Sequence, residues 1–301
     1  MSVTIQGLTK IYGKQKAIDN ISFTAKKGEI LGFIGPNGAG KSTTMKIITC
    51  YLTQTEGTVE VCGLDTAESP DEVRKLIGYL PEHNPLYKDM YVKEFLHFIS
   101  KIHGIKNARE KVEEMIKMTG LEREQHKKIR QLSKGYKQRV GLAQALIHDP
   151  EVLILDEHTS GLDPNQLAEI RALIKKISKD KVVIFSSHFM QEVEGLCDRV
   201  VVIDKGRIVA NDILTNLIAK HSPDNQYVLT FGKKPPKNDL SALGSSIKVR
   251  QIDDFHWIVA GEKGIDVPAV VLKKALAHQW DLIEIKRDSM KFEEIFNKLT
   301  G

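Results

Sequence analysis

The sequence is short of residues that would staple, anchor or concentrate charge. Its three cysteines, Cys50, Cys62 and Cys197, are an odd and widely spaced set in 301 residues, which excludes a disulfide framework or a cysteine-rich zinc site. A reducing, cytoplasmic setting is the expectation. Apolar runs such as Val200 to Ile203 fall far short of the ~20 residues that cross a bilayer, and the opening MSVTIQGLTK lacks the apolar stretch of a signal peptide. Neither a membrane span nor secretion is expected. No repeat, low-complexity tract or long heptad segment stands out. The net charge of +5 comes from 44 basic and 39 acidic residues spread along the chain; it supports nucleic-acid binding only weakly and could equally serve an acidic membrane face, and no nucleic-acid partner is expected.

What is present is the composition of an ordinary folded protein, 41% hydrophobic and 28% charged. Through the first two thirds, short apolar runs alternate with amphipathic helical stretches, the pattern of an α/β fold with a mostly parallel sheet. Strands are expected near Val3 to Leu8, Ile18 to Ala25, Glu29 to Ile34, Gly57 to Cys62, Val152 to Asp156, Val182 to Ser186 and Arg199 to Ile203. A helical insert interrupts them over about residues 92–148, opening on a face of Phe95, Leu96, Phe98, Ile99 and Ile102. The turn-rich run His221 to Asp224 marks a boundary, giving domains over 1–220 and 221–301. The second reads strand, helix (Asp239 to Leu243), strand, strand, helix (Pro268 to Gln279), strand, then a closing helix from Lys291. That order suggests a small ferredoxin-like α+β domain.

The run Gly35-Pro36-Asn37-Gly38-Ala39-Gly40-Lys41-Ser42-Thr43 matches G-x-x-x-x-G-K-[ST] between an apolar strand and a helical stretch, the context of a P-loop NTPase. Its glycines let backbone N–H groups face phosphate oxygens, and the following helix N-terminus adds favourable partial charge. Lys41 suits the β- and γ-phosphates, and the Ser42 hydroxyl suits Mg²⁺. The alternative is a glycine-rich turn before a helix. A second apolar run ends in Asp156-Glu157, two carboxylates at the edge of a buried strand where α/β sheets bind ligands. Asp156 fits a metal-linked position and Glu157 a base that polarises water, although an apolar strand ending in acids is common by itself.

The stretch LSKGYKQRVGLAQALIHDPEVLILDEHTSGLDP, Leu132 to Pro164, resembles the signature, Walker B and D-loop block of ABC transporter ATPases in order and spacing. The likeness covers about residues 3–220, and the IGYLPE form resembles the drug- and lipid-export branch. Within it the wording is most similar to gliding-motility-associated ATP-binding subunits of bacteria. The resemblance implies ATP and Mg²⁺ as ligands and ATP hydrolysis as the activity. It implies a homodimer formed on ATP binding, a membrane-spanning permease as partner, and a place on the inner face of the cell membrane. Ser133 and Gly135 would touch the γ-phosphate held by the opposite subunit. Tyr12 would stack on adenine, His188 would contact the γ-phosphate, and Asp163 would act across the interface.

The chain departs from that family at several positions. Lys134 and Tyr136 replace a glycine and a glutamine of the usual LSGGQ, while Ser133 and Gly135 remain. Glu82 stands where a Mg²⁺-sensing glutamine is usual, which keeps an oxygen ligand but adds negative charge. His158 replaces a proline and has no partner at metal-ligand spacing. The run His83 to Tyr91 is either a docking surface for a permease helix or packing for the insert. Two rivals stand beside the transporter reading: a non-transport ATPase of the same family, and a module that holds ATP without turning it over.

Overall fold

The computed structural model describes residues 2–156, 164–234, 240, 243–244, 246–262 and 264–301. By internal contacts the chain divides into two compact units, Met1–Leu214 with Phe296–Gly301, and Thr215–Ile295.

The first unit opens with β1 (Ser2–Tyr12), β2 (Gln15–Lys26), β3 (Ile30–Ile34), α1 (Lys41–Ile48), β4 (Glu56–Val61), β5 (Leu64–Asp65), α2 (Pro70–Leu76) and β6 (Ile77–Leu80). Three insert helices follow, α3 (Val92–Ile102), α4 (Ala108–Met118) and α5 (Lys134–Leu146). The unit then runs through β7 (Val152–Asp156), α6 (Pro164–Ser178), β8 (Val182–Ser186), α7 (Met190–Leu196), β9 (Arg199–Asp204) and β10 (Arg207–Ile213), and α8 (Leu214–His221) spans the division.

Every residue of β3, β7 and β8 is buried, as strands covered on both faces must be. They lie in a six-stranded sheet of order β10-β9-β3-β8-β7-β6, parallel except for the β10–β9 hairpin. The strands near the N-terminus and Gly57 do not join it. They form a separate antiparallel sheet, β2-β1-β4-β5, whose β1 and β2 bury about every second residue, a pattern fit for one covered face. Phe23 of β2 stacks on Phe33 of β3 with ring centroids 5.1 Å apart, joining the two sheets in one core.

The parallel order sends the C-terminal ends of β3, β6, β7 and β8 to one sheet edge. There they lead into the glycine-rich loop, Glu82, Asp156 and His188. In the insert, α3 buries Val92, Phe95, Leu96 and Ile99, whereas Phe98 and Ile102, expected on the same face, are exposed.

Where α5 ends, His148 is held against the base of β6. Its Nε2 lies 3.1 Å from the Ile77 carbonyl, and its ring stacks on His103 with centroids 4.2 Å apart. Burial first, then the neighbouring His103, lowers the His148 pKa to about 4. An unfolded histidine titrates near ~6.5, so the unfolded chain binds this proton more tightly. The contribution is complete above that value and is lost as pH falls through the folded-state value. His148→Gln is expected to reduce the loss of urea stability between pH 7 and pH 5 by roughly 1 kcal/mol, discounted for partial solvent screening. Equal losses in the two proteins would remove His148 as the cause.

The second unit contains β11 (Gln226–Phe231), β12 (Ile247–Gln251), β13 (His256–Gly261), α9 (Val267–Ala277) and β14 (Leu282–Arg287), and α10 (Phe292–Thr300) closes the chain. Its sheet is antiparallel throughout, in the order β12-β13-β11-β14, which interleaves two split βαβ units in the ferredoxin-like manner. Leu229, Phe231, Trp257 and Val259 face Val267 and Val271 of α9 in its core. The expected first crossover helix, Asp239 to Leu243, lies largely outside the described residues; within it Leu240 and Leu243 are buried.

Candidate functional site

The glycine-rich loop leaves β3 where β9 crowds it. A Cβ on Gly35 would lie 2.2 Å from the Ile203 carbonyl oxygen, so only glycine lets the strands approach this closely. Gly40 enters α1 with φ of 111° and has the Ala17 carbonyl 2.7 Å from where a Cβ would sit. Ala39 packs into the core, leaving Asn37 and Gly38 exposed at the crest.

Lys41 is buried, and its Nζ donates to the carbonyl oxygens of Gly35 at 2.7 Å and Pro36 at 3.1 Å. These bonds hold the ammonium inside the curve of its own loop. Thr44 donates its hydroxyl to the Gly40 carbonyl at 2.9 Å and fixes the first turn of α1. Asn37, Gly38, Gly40, Lys41, Ser42 and Thr43 line an open cleft of about 380 Å³ that also includes Glu82. A cation, hydroxyls and loop N–H groups in one concavity are the chemistry of a polyphosphate cradle.

At the end of β7, Asp156 is buried and in register with Ser186 of β8. Tyr79 of β6 is paired with Ile154, which puts Asp156 two residues along on the same face. The Tyr79 phenol therefore comes close to the Asp156 carboxylate. Burial first, then the charge on Asp156, pushes the phenol pKa well above its ordinary value, so the hydroxyl keeps its proton. Sequence reasoning passed over Tyr79; its signal was an aromatic with a polar tip in the strand leading to Glu82. Ser186 Oγ is buried without a hydrogen-bond partner in the structure. Glu157, His158 and Asp163 lie outside the described residues.

These donors fit a hard cation bound with a polyphosphate. Ser42 and Asp156 offer oxygen, the Ser186 hydroxyl is unsatisfied, and Glu82 adds a carboxylate across the cleft. Among the described residues no group of three or more His, Cys, Asp and Glu side chains is placed to hold a metal.

Beyond β8 the chain turns sharply into α7. The Ser187 hydroxyl donates to the buried Glu192 carboxylate at 2.8 Å and accepts the Phe189 N–H at 3.0 Å, which fixes the backbone on either side of His188. His188 is exposed and lies against Phe189, ring centroids 3.9 Å apart.

Ser133 occupies the N-cap of α5, where its hydroxyl accepts the Tyr136 N–H at 3.4 Å. Gly135 is buried in the first turn. Neither residue lines the cleft around Lys41. Tyr12 stands outside that lining too, 47% exposed at the tip of the β1–β2 hairpin with Lys10 Nζ 5.4 Å from its ring centroid. One chain thus lines the cleft with the loop and Glu82 and brings Tyr79 beside Asp156, while Ser133 is not among the residues that line that cleft.

Beside the insert, Leu86 is buried while Tyr87 is 56% exposed, with its ring edge-on to Phe95 at 6.0 Å and Phe98 at 5.6 Å. The two readings of this stretch therefore divide by residue: Leu86 packs, and Tyr87 offers an aromatic surface. Among the described residues no helix is long and apolar enough to cross a membrane.

A family model described as ABC transporter matches residues 18–160. The chain is 33% identical over 300 residues to the ABC transporter ATP-binding protein YhcH of Bacillus subtilis (strain 168), spanning 99% of this chain and 95% of that one. It is 33% identical over 307 residues to the linearmycin resistance ATP-binding protein LnrL of the same organism, covering 98% and 97%. Its fold is similar to the dimeric, post-hydrolysis structure of the ATP-binding cassette MJ0796 bound to ADP and Pi, with a TM-score of 0.65 and 28% identity over 70% of this chain and 98% of that one.

Proposed function

The chain belongs to the ABC transporter ATP-binding family, and on that premise we propose that it hydrolyses ATP in two sites shared between identical copies and so drives a separate membrane-spanning permease, as an exporter. The observation that carries this reading is the separation of Ser133 from the Lys41 cleft within one chain. A capped helix N-terminus suits an anion, and a second copy can bring that end to the triphosphate.

In each site Lys41 and the loop N–H groups hold the β- and γ-phosphates, and Tyr12 stacks on adenine. Bound Mg²⁺ would neutralise charge between the phosphates, held by Ser42, by Asp156 steadied through Tyr79, and by Glu82. Glu157 takes the proton of the attacking water. His188 orients the γ-phosphate side, while the partner copy's Ser133 and Gly135 donate to the γ-phosphate and Asp163 acts across the interface. Retained Lys41, Asp156, Glu157 and His188 favour turnover over a module that only holds ATP. The C-terminal unit serves regulation or dimer support, since no catalytic constellation stands out in its sequence.

Export is supported by likeness to LnrL, a resistance protein by its printed name. The likeness to gliding-motility subunits rests on sequence wording alone and is not adopted. The decisive experiment is to purify the chain with the membrane protein it binds and to measure association with and without ATP. A partner with several spanning helices supports the transporter; recovery of a ribosomal or DNA-bound complex instead would reverse the assignment.

Tyr87 is the residue proposed to receive a short permease helix, because an exposed ring braced by two phenylalanines is a ready anchor. Tyr87→Ala is expected to weaken permease binding by about tenfold while leaving ATP affinity of the isolated chain unchanged. Undiminished permease binding would return Tyr87 to a packing role.

A further inference from the structure

The helix that carries Ser133 is fastened by one buried side chain. Arg139, in the second turn of α5, is 9% exposed, and its guanidinium has two anchors. Nη1 donates to the Thr119 carbonyl at the C-cap of α4 at 3.0 Å, and Nη2 donates to the Glu169 carboxylate on α6. The Tyr136 ring, nearly one turn earlier, lies 5.9 Å from the guanidinium carbon. Room for this arrangement comes from Gly120, whose φ is +68° and where a Cβ would fall 2.7 Å from Nη1.

The same α6 begins at Pro164, directly after residues 157–163, the segment that contains Glu157 and Asp163. Two residues beyond Glu169, Arg171 reaches the Gln191 carbonyl of α7 at 3.4 Å, on the helix that follows His188. Three separate stretches of the proposed site therefore lead into helices joined through α6.

We propose that Arg139 and Glu169 are positioning residues that hold the Ser133 end of α5 in fixed relation to the start of α6, with Tyr136 packed on the guanidinium as part of the clamp. The inference rests on the reading that Ser133 completes the partner's nucleotide pocket. Stability alone does not explain the pair: the Glu169 side chain is 67% exposed, and an ion pair open to water stabilises little. A buried arginine is better replaced by an apolar side chain when only stability matters. What arginine adds is a planar fork that satisfies two acceptors at once and fixes their mutual orientation, which lysine does not. Tyr136, in place of the usual glutamine, gives the fork a flat surface to lie against.

The test uses the full chain with Glu169→Ala, Glu169→Gln and Arg139→Lys, measured for melting temperature, affinity for a fluorescent ATP analogue, and turnover against protein concentration. For Glu169→Ala and Arg139→Lys, turnover at saturating ATP is expected to fall about tenfold, with analogue affinity within about twofold; melting is expected within about 2 °C of the parent for Glu169→Ala and lower for Arg139→Lys, which gives up the buried bond to Thr119. Glu169→Gln, which keeps an acceptor for Nη2, is expected to recover much of the loss. Parental turnover in Glu169→Ala and Arg139→Lys overturns the proposal, and so does a parallel collapse of melting temperature, affinity and turnover. Ser133→Arg is run beside them. If it abolishes turnover while Glu169→Ala and Arg139→Lys keep theirs, the clamp alone fails; if it leaves turnover intact, the shared site fails and the clamp with it.

Discussion

Replacing Glu157 by glutamine is expected to leave ATP bound and to slow its hydrolysis at least a hundredfold, roughly 3 kcal/mol on the barrier. Glutamine has nearly the same shape but cannot take a proton from water, so the loss falls on the chemical step. In the proposed site ATP affinity rests on Lys41, the loop N–H groups and the partner copy's Ser133, none of which changes. The variant should therefore accumulate as an ATP-bound dimer, seen as a doubled mass by size-exclusion chromatography with light scattering when ATP and Mg²⁺ are present. Glu82 bears on the same measurement, because it shares the cleft with Lys41 and Ser42 and adds a negative charge. Were Glu157→Gln to turn over ATP at the parental rate, Glu157 would not be the base, and Glu82, the carboxylate within the cleft, would be the next residue to replace.

The phosphate loop was legible because its constraints are local and severe. Gly40 must take a left-handed conformation at the entrance of α1, and Lys41 and Ser42 follow at the spacing a phosphate cradle requires. The central strands were legible as well, since Ile30–Ile34, Val152–Asp156 and Val182–Ser186 are buried throughout and read as unbroken apolar runs. Interstrand register was not. Tyr79 comes beside Asp156 because β6 lies next to β7 with Tyr79 opposite Ile154, and neither stretch announces the other.

The missed strands had weak local signals, for two different reasons. Arg207–Ile213 is an edge strand alternating between exposed and half-buried residues, and its Asn211 and Asp212 look like a turn. Leu64–Asp65 is too short to show a period, and four-residue Ile77–Leu80 scarcely longer. On α3 the buried stripe centres near Val92, between Ile99 and Leu96, and Phe98 and Ile102 lie beyond its Phe95 edge, so helical spacing admitted them although packing left them outside. The separation of Ser133 from the Lys41 cleft had no local signature at all.

Mixing two inactive variants is expected to restore activity, which tests that separation directly. Lys41→Ala removes the cation from the phosphate loop, and Ser133→Arg blocks the signature end of α5; each alone should lower turnover by on the order of a hundredfold or more. In a symmetric dimer with head-to-tail sites, a mixed pair concentrates both lesions in one site. The other site then combines an intact loop from the Ser133→Arg chain with an intact signature from the Lys41→Ala chain. Random pairing makes about half the dimers mixed, each with one working site of two, so an equimolar mixture should recover about a quarter of parental turnover if the sites act independently. Should the sites instead be strongly coupled, the same pairing done in chains that also carry Glu157→Gln should still yield ATP-dependent dimers, because one intact pocket suffices to bind. A site closed within a single chain predicts the opposite on both counts: no recovered turnover and no dimer, since no pairing can repair a lesion that each subunit keeps to itself.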